Sequence, residues 1–260
     1  MLRFRSSGSV SFQDVWGNYL QISVSSSDTK KYNYHKILVV RGEIVAWDDI
    51  PESAVEIANS LLQTLKQKDP FTFYHCCRVG RASRRLAKAM DLNVYEQAIL
   101  EYSGLFHDLG KISVPDEILL KPARLTKEEY EIMKSHPIKS VEILQPLEHI
   151  PFFRFLQPGV KYHHEKYDGT GYPYGLAGEK IPLTARIIAV VDTVDAMMNT
   201  RPYREGLPWD VVKQELVDFS GRQFDPSIVK VYLESVGTWA DIEEQDQDEV
   251  VVAQVLREAA

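Results

Sequence analysis

Cysteine is scarce in this 260-residue chain: Cys76 and Cys77 are the only two. Adjacent thiols are badly placed for an ordinary structural disulfide, so no disulfide framework is expected, and a reducing, cytoplasmic setting fits. Long apolar runs are missing as well. IIAVV at 187–191 is about the longest, far short of the roughly 18 residues that read as a membrane span. The N-terminal MLRFRSSGSVSF lacks the apolar core of a signal peptide. Positive charge is in deficit, with 30 Lys and Arg against 37 Asp and Glu and a net charge of −7. That argues against binding a nucleic acid polymer, which calls for a basic face. A small anionic substrate stays open, because a few local cations reverse the field inside a cleft. Internal repeats and low-complexity tracts are also lacking.

What is present suffices for a real core: 44% of residues are apolar. The expected fold is mainly α, one helical bundle preceded by a small β-containing unit. Residues 1–62 form the accessory unit, regulatory or dimerising, which leaves room for a homodimer. Within it VWGNYLQISVSS and KILVVRGEIVAW alternate apolar and polar residues as strands do, and a helix from Pro51 ends the unit. Residues 63–238 form the main domain, and 239–260 an acidic then amphipathic tail. DP at 69–70 breaks the chain before FTFYHCCRVGRASRRLAKAM. Asn93 caps the next helix, with Gly110 as its expected stop. Thr126 and Glu129 have capping-box spacing ahead of one helix over KEEYEIMKSHPIKSVEILQ. Pro182 opens the apolar LTARIIAVVDTVDAMMN, followed by helices at PWDVVKQELVDF and PSIVKVYLES.

Seven histidines punctuate this pattern. The pair in HHEKYDGTGYP (163–173) reads equally as a metal site or as a solvated helix end before a turn. Asp192, inside an apolar helix, needs a cation, and Arg186 on the same helix could serve as well as a metal. Taken together, His75, His107 with Asp108, His136, His163 with His164, and Asp192 fall on five segments. A helical bundle brings such segments together on one cleft. Imidazole and carboxylate ligands without thiolate suit a borderline-hard divalent pair. Asp108 suits a shared position, one oxygen to each ion, and two ions bridged by hydroxide are equipped for phosphoester hydrolysis. His35 and His149 read as structural or solvated, Cys76 and Cys77 as small core residues, and Met197 and Met198 as core packing.

His75, FHDLGK (106–111) and Asp192 resemble the HD-domain metal-dependent phosphohydrolases. DEILLKPARLT, HHEKYDGTGYP, IPLTARIIAVVDTVDAMMNTRPYR and RQFDP narrow the resemblance to the HD-GYP family over about residues 70–235. That resemblance implies an all-helical catalytic domain with two divalent ions, iron or manganese, and hydrolysis of cyclic di-GMP to pGpG or onward to GMP. It implies one ion on His75, His107, Asp108 and Asp192, and a second on Asp108, His136, His163 and His164. Lys111 is implied beside the scissile phosphate, as a catalytic group together with Asp108. Arg201 and Arg204 are implied at the substrate phosphates, their alternative being plain surface charge. Tyr172 and Pro173 belong to the signature loop, for substrate contact or for docking a protein partner. Asp195, one turn past Asp192, faces the same cleft, to contact substrate, relay a proton or hold a ligand.

One position departs from the family pattern. Some members hold a third ion through a glutamate one helical turn before the first histidine, where this chain has Phe71. Asp69 precedes Pro70 and should point off that face. A two-ion site closed at one end by Phe71 is expected, with pGpG as the main product. Two further readings stand beside the enzyme. One is a scaffold that binds a cyclic dinucleotide or a protein through the GYP loop without turnover. The other is an HD phosphohydrolase acting on mononucleotides.

Overall fold

The computed structural model describes residues 9–13, 19–23, 37–40, 43–46, 52–200 and 205–239. Two compact units divide between Glu52 and Ser53. In the first, β1 (Ser9–Gln13) pairs antiparallel with β2 (Tyr19–Ser23), and β3 (Ile37–Val40) with β4 (Glu43–Ala46). Pro51, His35, Arg201, Arg204 and the tail from 240 onward lie outside the described residues.

The second unit is helical, as expected. Its helices are α1 (Glu52–Lys68), α2 (Pro70–Ala89), α3 (Val94–Phe106), α4 (Asp116–Leu119), α5 (Lys127–Met133), α6 (His136–Leu144), α7 (Pro151–Tyr162), α8 (Leu183–Met198), α9 (Trp209–Asp218) and α10 (Pro226–Ser235). Most of α1 groups with this unit, earlier than the expected boundary at 62/63, and Ala58, Leu62 and Leu65 are fully buried. The DP break is a cap. Asp69 accepts hydrogen bonds from the amides of Phe71 and Thr72, and Pro70 takes the first helical position, where its missing N–H costs nothing. Asn93 with Glu96, and Thr126 with Glu129, form reciprocal capping boxes.

Two local expectations are corrected. α3 ends at Phe106, before Gly110, which lies in a 3₁₀ turn (Leu109–Ser113) pressed against α6. A Cβ on Gly110 would stand 2.1 Å from the His136 carbonyl oxygen, so close approach, not helix termination, calls for glycine there. The single helix expected over 127–145 is two, because Pro137 has no amide to donate to the carbonyl of Met133, four residues back, and sits instead in the first turn of α6, where none is needed. No helix is singled out in the sequence over 151–162, and α7 there carries Pro158 inside it. Burial of Phe152, Phe153, Phe155, Leu156 and Val160 holds α7 together regardless.

α2 and α3 form the frame. They cross at Gly80 and Gly104, where a Cβ on Gly104 would meet the Gly80 Cα at 2.8 Å. α8 packs on α2 and α7, α7 also on α3, and α6 on the 3₁₀ turn and α7. Val79, Leu86, Leu100, Ile187, Ile188, Val191 and Phe224 pack into one core. Met198 is 45% exposed, so it is not the core residue expected, and only Met197 packs against that cluster.

Candidate metal centre

Three helix ends and two helix interiors carry the proposed ligands. His107 caps the C-terminus of α3, His163 caps that of α7, and His136 opens α6 just past the end of α5. Each turns Nδ1 back onto the carbonyl three residues earlier: Gly104 at 2.7 Å, Val160 at 2.8 Å and Met133 at 2.7 Å. Carbonyls at helix C-termini lack helical partners and only accept, so each Nδ1 must carry the hydrogen. A neutral ring bonded in this way keeps its lone pair on Nε2.

Those lone pairs point at one another. His136 Nε2 lies 3.3 Å from His163 Nε2 and 3.2 Å from His164 Nε2. His107 Nε2 is fully buried without a hydrogen-bond partner. Burial holds His107, His163 and His164 towards the neutral form, His164 down to about 3. Buried lone pairs facing each other are unfavourable unless a cation lies between them. The residues thus fit a metal. Two compact triads emerge, His75–His107–Asp192 and His136–His163–His164.

Asp108 lies between the triads. Its Oδ2 is 3.5 Å from His107 Nε2 and 3.6 Å from His75 Nε2, while Oδ1 is 3.1 Å from His136 Nε2. Burial disfavours its charge, but Lys111, with Nζ 2.6 Å from Oδ2, and the neighbouring imidazoles hold it well below the usual carboxylate range. Lys111 likewise stays an ammonium because Asp108 outweighs its burial. Ser140 steadies this segment, donating to the His107 carbonyl at 3.0 Å and accepting from the Gly110 amide at 2.7 Å.

Asp192 faces His75 Nε2 at 3.0 Å, and His75 holds its carboxyl below the usual range against the effect of burial. The alternative ion pair with Arg186 is not formed. Arg186 bonds Asp225 and the Ile181 carbonyl instead. Asp195 has three roles open to it, substrate contact, proton relay or holding a ligand. Both of its oxygens are occupied, by His75 Nδ1 and by the Arg78 guanidinium, and Asn199 adds a third donor. This geometry is the one that holding His75 in place calls for. Burial weakens the charge of His75, but its bonds to Asp192 and Asp195 outweigh this and lift it to about 9. A metal at Nε2 would meet Asp192 with the same sign of charge as that proton.

The triads open onto a cleft of about 550 Å³, lined by Phe71, Lys111, Tyr130, Tyr172 and Gln223 among others. Phe71 stands where the apolar wall was expected. Asp69 also lines the cleft, contrary to the expectation that it points off that face, but both its oxygens are engaged as the α2 cap. Tyr172 stacks on His164, with ring centroids 4.7 Å apart and planes at 23°, while Pro173 is not among the lining residues. Cys76 is fully buried beside His107 and Asp108, and burial pushes its thiol up, away from the thiolate a metal would need. His149 only bonds the Pro146 carbonyl at an exposed site.

Residue reasoning missed Arg78, Asn199, Ser140, Glu165, Lys121, Lys166 and Thr193. Arg78 and Asn199 carried a faint signal, lying one helical turn from His75 and from Asp195. Ser140 is found only through the packing of α6.

A family model described as HD domain matches residues 59–228. The chain is 35% identical over 219 residues to a cyclic di-GMP phosphodiesterase response regulator of Xanthomonas campestris, covering 83% of this chain and 56% of that protein. It is 35% identical over 203 residues to a cyclic di-GMP phosphodiesterase of Thermotoga maritima, covering 78% and 54%. It is also 35% identical over 191 residues to 3'3'-cGAMP-specific phosphodiesterase 2 of Vibrio cholerae, covering 72% and 35%. The chain spans about half the length of the first two and less of the third. Among solved structures, a cyclic GMP-AMP-specific phosphodiesterase from V. cholerae superposes with a TM-score of 0.54 at 19% identity, covering 78% of this chain and 53% of that one. The HD domain of a Listeria monocytogenes phosphodiesterase gives 0.51 at 17%, covering 70% and 98%. At these identities the likeness is one of fold.

Proposed function

This chain belongs to the HD domain family, and on that footing we propose that it is a metal-dependent phosphodiesterase acting on a cyclic dinucleotide, cyclic di-GMP first among them. The carrying observation is Asp108, buried between the two triads with one oxygen turned to each. His75, His107 and Asp192 would hold one divalent ion, and His136, His163 and His164 a second, with Asp108 shared. Iron or manganese suits this donor set of imidazoles and carboxylates with its one nearby thiol kept protonated. When bound, two such ions supply water activation at neutral pH and neutralise charge on a phosphodiester.

The chain's own residues do the rest. Lys111 holds Asp108 in register and offers an ammonium at the cleft to a phosphoryl oxygen. Asp195 and the three main-chain carbonyls fix the imidazoles with their lone pairs inward. Arg201 and Arg204 would pair with the substrate phosphates, and Tyr172 would bound the cleft. Phe71 leaves the far end without a ligand atom, which supports two ions and release of linear pGpG.

The test is anaerobic purification, metal analysis, and separation of products from cyclic di-GMP and 3',3'-cGAMP. Two ions per chain and pGpG from cyclic di-GMP are expected. Full metal loading without turnover would favour the scaffold, and turnover of mononucleotides alone a different phosphohydrolase. Three ions on protein side chains would refute the two-ion site.

A further inference from the structure

Glu165 follows the histidine pair directly, is only 3% exposed, and has no part in the chemistry above. A buried carboxylate must find donors, and it finds them across the loop. One oxygen accepts from the Tyr174 amide at 2.7 Å and the other from the Leu176 amide at 3.0 Å. Both bonds are charge-assisted, the strong kind.

The loop of 166–178 has two legs, held differently. The outgoing leg is tied to the chain ahead of α10, with the Tyr167 amide on the Gln223 carbonyl and the Asp168 amide on the Arg222 carbonyl. The Gly178 amide closes onto the Tyr167 carbonyl, and Asp168 forms a local turn with Thr170. The returning leg, 172–176, is anchored to the metal-side backbone. The Tyr172 amide bonds the His164 carbonyl at 3.1 Å, and the Tyr174 and Leu176 amides bond Glu165. Pro173 has no amide to give. Gly171 lets the legs close: a Cβ there would stand 2.3 Å from the Lys166 nitrogen.

We propose that Glu165 is a positioning residue whose carboxylate latches the returning leg, so that Tyr172 stays stacked on His164 at the cleft wall. It acts through Tyr172 and binds neither metal nor substrate. Its effect on turnover rests on the phosphodiesterase reading; its effect on the loop does not.

The experiment uses the full chain with its metal loaded and compares wild type, Glu165→Ala and Glu165→Gln. Gln keeps the volume but presents a donor where an acceptor is required. Tyrosine nitration read by mass spectrometry reports the loop, with the exposed Tyr74 on α2, outside the loop, as internal reference. In both variants, Tyr172 nitration relative to Tyr74 should rise about tenfold, the scale of one lost hydrogen bond to a charged group. Metal content and far-ultraviolet dichroism should stay at wild-type values. With cyclic di-GMP, a cycle with Tyr172→Ala should be non-additive, the double variant losing no more than the worse single one. Unchanged Tyr172 nitration, recovery by Gln, or additive losses would overturn the latch. Loss of metal in Glu165→Gln would overturn it too, making Glu165 part of the ligand shell. If the wild-type chain turns over no cyclic dinucleotide, the phosphodiesterase reading fails, while nitration and metal content still decide the latch.

Discussion

Asp195 Oδ2 lies 2.6 Å from His75 Nδ1, on the far side of the imidazole from Asp192, whose Oδ1 is 3.0 Å from Nε2. One ring is thereby clamped between two carboxylates one turn apart on α8. Arg78 fixes the outer carboxylate by two bonds, at 2.6 and 3.0 Å. Removing a group that orients a ligand typically costs 10–100-fold in metal affinity. Asp195→Ala should therefore weaken metal binding by about that factor while leaving the helical fold intact. Chelator competition measures this, and unchanged affinity would return Asp195 to a role facing substrate.

Asp108 and Asp192 should differ in what they cost. Asp108 turns an oxygen to each triad, whereas Asp192 belongs to one. Asp108→Ala should abolish hydrolysis and deplete both ions. Asp192→Ala should deplete mainly the ion of the His75 triad. Metal-to-protein ratios decide between them, and full occupancy in Asp108→Ala would sink the shared position.

Arg201→Ala and Arg204→Ala should raise KM for cyclic di-GMP and leave metal content alone, since neither is assigned as a ligand. If either variant strips metal, or neither changes the kinetics, their phosphate-contacting role is wrong.

The close crossing of α2 and α3 should tolerate no added carbon. Gly104→Ala would bring a methyl to 2.8 Å from the Gly80 Cα, backbone that cannot move aside as a side chain would. A loss of about 1–3 kcal/mol in chemical denaturation is expected. Because His75 and His107 flank this crossing, metal affinity should fall in the same variant.

Arg186 and Asp225, both largely buried, give a pH signature remote from the cleft. Burial opposes the charge of Asp225, but its bonds from Ser227 and Arg186 prevail and lower its pKa in the fold. A lowered folded pKa means the contribution is complete above the unfolded value, about 3.9, and fades as pH falls through the folded one. Asp225→Asn should cost about 3 kcal/mol at pH 7, with the gap to wild type narrowing below about pH 4. A gap independent of pH would show that packing, not charge, is what Asp225 supplies.

Much of this was legible in the chain itself. The caps at Asn93 and Thr126 and the helix following Pro182 depend on neighbours within a turn, so local chemistry decides them. Identity and order of the histidines and acids also stand in the sequence, and with them the family resemblance and the donor chemistry. Tertiary structure decided what sequence spacing does not encode. Packing closed α7 over Pro158 and Gly159, because five buried apolar side chains outweigh a local breaker. It gave Arg186 to Asp225 instead of Asp192, 39 residues along the chain against six. It also divided the two oxygens of Asp108 between the triads and folded the GTGYP loop back onto Glu165. Each depends on where distant backbones cross, and the glycine contact between α2 and α3 helps set that crossing.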